Sequence, residues 1–581
     1  MNFHSRRACL GVVALAAGIA ATPAWADDDE DCKAGGSLRL VNGKIHTMDK
    51  KDSVVSSVLI KNSRFAAVGH RRGDDGDDEC ARTINLRGRT VVPGIIDSHN
   101  HILLLGLRPG RDARLENANS IKEALATLAA RVKEANPGEW VTSIGGFSRN
   151  QFSPDVRFPN LNELTAAVPD HPVFIMESFS GPGSTNKLGR DFFISKGIPV
   201  GDDGSVVGGA FFGATPCTMA LFELRKLQTR DSMLQGLQDA MRYAAGIGVT
   251  THLDQGGFPA VGDNTDGAAH FDRYRAHDSV RALYHEGKLT NRIWINFLHL
   301  EGNPETPELQ ARLLNSWDDF GNNMLRVLGI GEFTGGASFL IPGSTAWQNG
   351  TRLVALAGWR NENHSLNFPV PGDGRADWKV IIDGWQAVHD AVVKDGNPDG
   401  ITKLRWVLAH VPFIDQEHLT RLKNLGGGIN VLGGWRWLSG TATQNGPQFR
   451  LLLASGIPLG MSSDGMQISV MSPWINLYYV VTGKNALGQV INGDQTLPRN
   501  DALRLYTANN GWFLNAEDKL GTIEEGKLAD LVVLSADYFS VGQESIKDIY
   551  SVLTVVNGTV VHDDLDGKST AYWKAGLPAQ P

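Results

Sequence analysis

The sequence is poor in three things. Beyond its N-terminal segment it has no long hydrophobic run, it carries only four cysteines in 581 residues, and it shows no stripe of basic residues. Without a second apolar stretch of about 18 residues, nothing in the mature chain is expected to insert in a bilayer as a helix. The net charge of −8 and the missing basic stripe argue against a nucleic-acid partner. Of the cysteines, Cys9 lies in the N-terminal segment and Cys217 reads as a buried free thiol. Cys32 and Cys80 each precede a strand-like segment, so a disulfide between them is open in an oxidising compartment. Internal repeats are also missing, and the only biased segments are acidic runs at 27–31 and 74–79. What remains is 42% hydrophobic and 20% charged, an ordinary composition for a globular protein of one large barrel or several domains.

The N-terminus reads as a targeting segment. Ser5-Arg6-Arg7-Ala8-Cys9-Leu10 leads into an apolar run at 10–21, too short to span a membrane, and Ala24-Trp25-Ala26 supplies a cleavage site. The pattern resembles a bacterial twin-arginine export signal, with an ordinary secretory signal as the alternative. The mature chain is then expected to begin at Asp27 and to be periplasmic or secreted.

Short β segments occur at both ends. Ser37-Leu38-Arg39-Leu40-Val41-Asn42-Gly43-Lys44-Ile45-His46 is strand-like with an Asn-Gly turn, and 54–60, 65–68 and 83–86 follow. Near the far end, 530–534 and 551–561 have the same character, the latter with Asn557-Gly558. Between them strands and helices alternate, which indicates parallel β/α units. Eight strand candidates stand at 94–99, 249–254, 292–299, 326–332, 359–364, 404–410, 428–432 and 458–464. The expected fold is α/β: a (β/α)8 TIM barrel with a small β-sandwich built from both chain ends. Expected boundaries are an export signal at 1–26, sandwich at 27–92 and 516–565, barrel at 93–515, and a tail at 566–581. The first two barrel strands are too far apart for one crossover, so an insertion is expected at about 110–240, with extra strands near 139–147 and 172–176.

Several barrel strands end in a metal-ligand residue type: His99 and His101, His252, Asp254, His299, Glu332, His364, His410 and Asp464. The C-terminal ends of parallel barrel strands converge on one face, and alternate residues of a strand point the same way. His99 and His101 therefore both face the mouth. Imidazole and carboxylate are the usual donors of catalytic zinc sites, although a lone His-x-His is equally at home in a hydrogen-bonded loop. Single histidines on strands five and six and an aspartate after strand eight make the conjunction far more specific.

Val92-Pro93-Gly94-Ile95-Ile96-Asp97-Ser98-His99-Asn100-His101 resembles the first-strand signature of the amidohydrolase superfamily. Gly521-Thr522-Ile523-Glu524-Glu525-Gly526-Lys527-Leu528-Ala529-Asp530-Leu531-Val532-Val533 is similar to its closing motif. Gly248-Val249-Thr250-Thr251-His252-Leu253-Asp254, Ser462-Ser463-Asp464-Gly465, and Ala502-Leu503-Arg504-Leu505-Tyr506-Thr507 with Asn510 point to the YtcJ-like group, amidohydrolase family 3. The resemblance runs over roughly residues 37 to 565. It implies a metal-dependent hydrolase acting on a small-molecule substrate, using one or two divalent cations, with zinc the first choice. By position, His99 and His101 would hold the more buried metal, His364 and His410 would be further ligands, and Asp464 would be both ligand and general base. The cation lowers the pKa of a water and polarises a carbonyl, while Asp464 takes the proton and returns it to the leaving nitrogen.

Three departures qualify this. Many relatives bridge two metals with a carboxylated lysine on strand four, but no lysine lies between Lys288 and Lys379. Glu332 is the substitute, either as a bridging ligand or as a hydrogen-bonded carboxylate beside a single metal. His364 lacks the H-A-x-G-D context of relatives, and Glu177-Ser178-Phe179-Ser180-Gly181-Pro182 stands where relatives carry x-G-H. The substrate class can therefore differ from theirs. Trp435, Arg436 and Trp437, directly after strand seven, read either as a substrate-binding lip or as a structural loop packing on the insertion. Asp97, His252, Asp254 and His299 are the candidates for holding the outer nitrogens of the ligand histidines. Cleavage of an amide, formamide or cyclic amide is the leading expectation. Its rivals are an ester or other C–O hydrolase on the same site, and a binding or regulatory protein that has lost catalysis. Oligomeric state is silent in the sequence.

Overall fold

The computed structural model describes residues 36–69, 81–209, 214–256, 277–336, 341–440, 446–465 and 468–577. The expected export signal, both acidic runs, Cys32 and Cys80 fall outside these residues, whereas Cys217 is a buried free thiol as read.

Eight parallel strands form the central sheet: β1 Ile95–Asn100, β2 Val249–Asp254, β3 Arg292–His299, β4 Leu325–Thr334, β5 Arg360–His364, β6 Val407–His410, β7 Gly428–Leu432 and β8 Leu459–Ser462. Each pairs with the next in chain order, so the sheet curls into a nearly closed barrel with β1 beside β8. The seam between β1 and β8 is closed by a side chain. The Asn510 amide donates to the carbonyls of Ile96 at 2.6 Å and Met461 at 2.8 Å, one on each side. Helices fill the crossovers. Residues Arg230–Ile247, for example, start at an N-cap Thr229 and end at Gly248, whose φ of 90° turns the chain into β2 without the penalty a side chain would meet there.

The expected insertion is a five-stranded sheet of its own, in the order Ser205–Val206, Gly183–Thr185, Val173–Met176, Val141–Ile144 and Arg111–Asp112. Two of these strands were expected and the other three are too short to stand out in sequence.

The chain ends build the sandwich. One sheet is entirely N-terminal: Arg64–Val68, Val58–Lys61, Leu38–Val41 and Arg82–Asn85. The other joins C-terminal Thr559–Asp563, Ser551–Val556 and Leu531–Leu534, through the last of these, to N-terminal Thr90–Pro93, Lys44–His46 and Val54–Val55. Leu40, Ile45, Phe65, Val91, Leu531 and Leu553 share the core between them. The two Asn-Gly turns differ. Asn557-Gly558 closes a hairpin, with Val556 opposite Thr559. Asn42-Gly43 instead passes the chain from one sheet to the other, because Leu38–Val41 and Lys44–His46 have different partners.

The closing motif locks sandwich to barrel. Asp530 accepts a bidentate pair from the buried Arg292 at the start of β3, at 2.7 and 2.9 Å, and a bond from the Asn557 amide at 2.7 Å. A Cβ at Gly94 would stand 2.3 Å from Thr250 Oγ1 and 2.8 Å from the Asp530 Cβ, which accounts for the glycine of the Pro-Gly before β1. The expected C-terminal tail is docked rather than loose: Tyr572 and Trp573 are buried in the main core, with Arg131 4.4 Å over the Tyr572 ring.

Candidate metal centre

The mouth of the barrel gathers His99, His101, Glu332, His364, His410 and Asp464, none more than 5% exposed. His99 and His101, two apart at the end of β1, enter from one strand, and Asp464 arrives just beyond β8. The Asp464 amide donates to the His99 carbonyl at 3.0 Å and the His101 amide to the Gly465 carbonyl at 3.0 Å, stitching these two segments together. Glu332 is the common neighbour. Its Oε2 lies 3.1 Å from His99 Nε2, 2.9 Å from His364 Nδ1 and 3.6 Å from His410 Nε2, while Oε1 is 3.7 Å from His101 Nε2. Asp464 Oδ1 lies 3.2 Å from His101 Nε2 and 3.7 Å from His99 Nε2, and Oδ2 lies 3.8 Å from His410 Nε2. His410 and Asp464 both have backbones in the left-handed region, at φ 71° and 46°. Among non-glycine residues, aspartate and histidine adopt that conformation more readily than most.

The outer nitrogens are held by groups other than those expected. His99 Nδ1 pairs with Glu362 Oε1 at 2.5 Å, and His101 Nδ1 donates to the Gly256 carbonyl at 2.9 Å. None of Asp97, His252, Asp254 or His299 makes a hydrogen bond to a ligand imidazole among the described residues. Asp97 accepts from the amide and hydroxyl of Ser463 and from Asn100, so it secures the turn that carries Asp464. Asp254 accepts from the amides of Leu103 and Gly256, so it acts on His101 only through the Gly256 peptide. His252 Nδ1 meets Asn100 at 2.6 Å. His299 is buried and its carbonyl accepts from Gly335. Glu362 was missed, although strand alternation placed it on the same face as His364, two residues on.

Burial works against every charge here, and the neighbours decide the outcome. Burial would lower His101, yet the bond to Asp464 and the charge of Glu332 push it up to about 9. Burial would likewise lower His99, but Glu362 and Glu332 hold it well above the ordinary imidazole value. His410, desolvated and beside His364, is pushed down to about 4. Burial would raise Glu332 and Asp464, but the surrounding imidazoles, His364 foremost for Glu332 and His410 for Asp464, keep both below the usual carboxylate range.

This donor set fits divalent cations. One group of His99, His101, Glu332 and Asp464 and a second of Glu332, His364 and His410 each have ligand atoms within 4.8 Å of one another. Ligands about 2.1 Å from a tetrahedral zinc stand about 3.4 Å apart, the middle of the separations above. His410 is buried with neither ring nitrogen in a hydrogen bond among the described residues, a costly state unless a further partner takes a lone pair.

A family model described as the amidohydrolase family matches residues 82–562. The chain belongs to that family. It is a metal-dependent hydrolase, and the barrel mouth just described is its metal-binding candidate. Among relatives, the N-substituted formamide deformylase of Arthrobacter pascens is 22% identical over 568 residues, covering 90% of this amidohydrolase and 98% of that protein. The amidohydrolase YtcJ of Bacillus subtilis (strain 168) is 22% identical over 554 residues, covering 90% and 98%. A metal-dependent hydrolase from Pyrococcus horikoshii OT3 shares the fold, with a TM-score of 0.54, 19% identity, and coverage of 87% of this chain and 99% of that one.

The residues after β7 divide. They form a short helix, Gly434–Leu438, in this amidohydrolase. Trp437 is 1% exposed and belongs to the core, so it corrects the expectation of a substrate contact; its carbonyl accepts from Ala486. Leu438 accepts from Asn150 of the insertion at 3.0 Å, which makes this helix a packing element against the insertion. Trp435 stays half-buried with the Arg436 guanidinium 4.7 Å from its ring centre. Glu177, where relatives carry x-G-H, accepts from the Arg149 amide at 2.6 Å and the Ser148 hydroxyl at 3.1 Å within the insertion.

Proposed function

We propose that this amidohydrolase cleaves a C–N bond of an amide, formamide or cyclic amide, holding two zinc ions with Glu332 common to both and Asp464 as general base. The observation that carries this reading is Glu332 itself, whose two oxygens face both donor groups where no lysine is available. Imidazole and carboxylate donors suit zinc. A divalent cation at such a site lowers the pKa of a water and polarises a carbonyl.

The chain's own residues do the rest. Asp464, secured through Ser463 by Asp97, takes the proton of the attacking water and delivers it to the departing nitrogen, which an amine needs in order to leave. Glu332, kept ionised by the surrounding imidazoles, holds the two donor groups in register. Burial of all six residues keeps bulk water out, so each charge acts in a medium of lower dielectric. Trp435 and Arg436 form the rim toward the substrate. Because the Arthrobacter pascens relative is named for N-substituted formamides, these are the first compounds to try. Export through the twin-arginine-like N-terminus belongs to the same reading and is checked by cell fractionation.

The test is hydrolysis by the zinc- or manganese-loaded protein of a panel of formamides, cyclic amides and esters. Release of amine from an amide or formamide is expected. Turnover of esters alone would move the reading to C–O bonds, and no turnover with either metal would overturn it.

A further inference from the structure

The outer faces of the two donor groups are unlike each other. Behind His99 stands a four-membered polar chain inside the barrel. Glu362 Oε1 meets His99 Nδ1 at 2.5 Å, and Glu362 Oε2 accepts from Arg360 at 2.9 Å and from Asn296 at 3.3 Å. Asn296 in turn donates to Gln255 Oε1 at 3.0 Å. Arg360, Glu362 and Asn296 are all buried. Barrel interiors are usually packed with branched aliphatic side chains, so an ionised pair beneath the mouth has displaced ordinary packing. Arg360 and Glu362 are two apart on β5 and so share one face. The guanidinium therefore compensates a carboxylate that could not stay charged alone at that depth. With Nδ1 committed to Glu362, only Nε2 of His99 is left to face Glu332 and Asp464. His101 has its outer nitrogen fixed by the Gly256 carbonyl. His410 has no hydrogen bond on its outer nitrogen among the described residues.

We propose that Glu362, clamped by Arg360 and Asn296, is a positioning residue for His99, and that it makes the His99–His101–Asp464 position bind a divalent ion more tightly than the His364–His410 position. A carboxylate on the far nitrogen fixes the tautomer and orientation of a ligand imidazole and raises its basicity. A histidine without that partner must be ordered by the ion itself. The two positions therefore fill in sequence, and the second exchanges its ion first. The inference rests on the proposed two-ion reading of the site.

The experiment is a titration of the full chain, stripped with a chelator, with cobalt(II), following visible absorption, and in parallel with zinc, counting bound metal after dialysis. The wild type is expected to bind in two separable steps. His410→Ala should lose the weaker step and keep the tighter one. Glu362→Gln should weaken the tighter step by about 10–100-fold, with an altered cobalt spectrum, and leave the weaker step in place. Because that variant strands Arg360, the pair Arg360→Met with Glu362→Gln, and separately Asn296→Ala, are titrated as well, with folding of the stripped proteins checked by circular dichroism. The double variant should match Glu362→Gln, and Asn296→Ala should shift the same step by a smaller factor. A folded double variant whose tighter step is unchanged, or a wild type with a single step, overturns the proposal. A wild type that takes up no divalent ion overturns the metal reading with it, whereas two-step binding without amide hydrolysis overturns the hydrolytic reading alone.

Discussion

His99, His101 and Asp464 reach the site from opposite sides of the seam that closes the barrel, whereas His364 and His410 sit on neighbouring strands within the ring. The seam corner is assembled from side-chain bonds. Asp97 holds Ser463, Asn510 spans Ile96 and Met461, and backbone bonds join His99 to Asp464 and His101 to Gly465. The β5–β6 corner uses the sheet ladder, with His364 opposite Ala409, and one buried anchor, Asp377, that takes the hydroxyl of Ser365. Asp377 also accepts from the amides of Leu366, Asn367 and Trp378. The difference teaches where precision was hard to obtain. Where β1 and β8 meet, bonds between specific side chains and the backbone replace part of the regular ladder, and those residues are the ones the chain cannot exchange freely.

Substitutions can break this contrast, the largest effect first. Asp464→Asn keeps the shape of the seam corner but removes the base, and should lower kcat by about 10²–10⁴-fold in a hydrolysis assay. Asp97→Ala leaves Asp464 in place but frees its turn. A loss of about 10–100-fold in activity or metal affinity is expected, read by assay and metal count. Asn510→Ala leaves two buried carbonyls short of a donor and should cost about 1–3 kcal/mol, measured by denaturant unfolding at fixed metal concentration. Ser365→Ala touches the other corner and should cost only about 1 kcal/mol, because Asp377 retains its backbone donors. If Ser365→Ala proved as damaging as Asn510→Ala, the two corners would not differ as described.

Much of the barrel was legible in the sequence because most strands ended in chemistry as well as in apolar residues. All eight candidates became strands, and 249–254, 292–299 and 428–432 kept their boundaries. The six residues of the site could be named for the same reason: parallel strands bring their ends together whatever the intervening chain does. What the sequence hid depended on partners far away in the chain. Glu362 stood in view beside His364, but only the fold puts His99 Nδ1 within 2.5 Å of it. Asn510 was visible as part of a motif, yet its place across the seam comes from the closure of the ring. Trp437 looked like a rim residue because it follows a strand end, but its helix turns it inward. Asn42-Gly43 carried the hairpin signal of Asn557-Gly558 and became a crossing between sheets, since strand pairing and not the turn decides which it is.

The most direct measurement is a crystal structure of the zinc-loaded protein with anomalous data collected at the zinc edge. One peak is expected among His99, His101, Glu332 and Asp464, with a second, of equal or lower occupancy, among Glu332, His364 and His410. A map with no anomalous peak at either place would contradict the account.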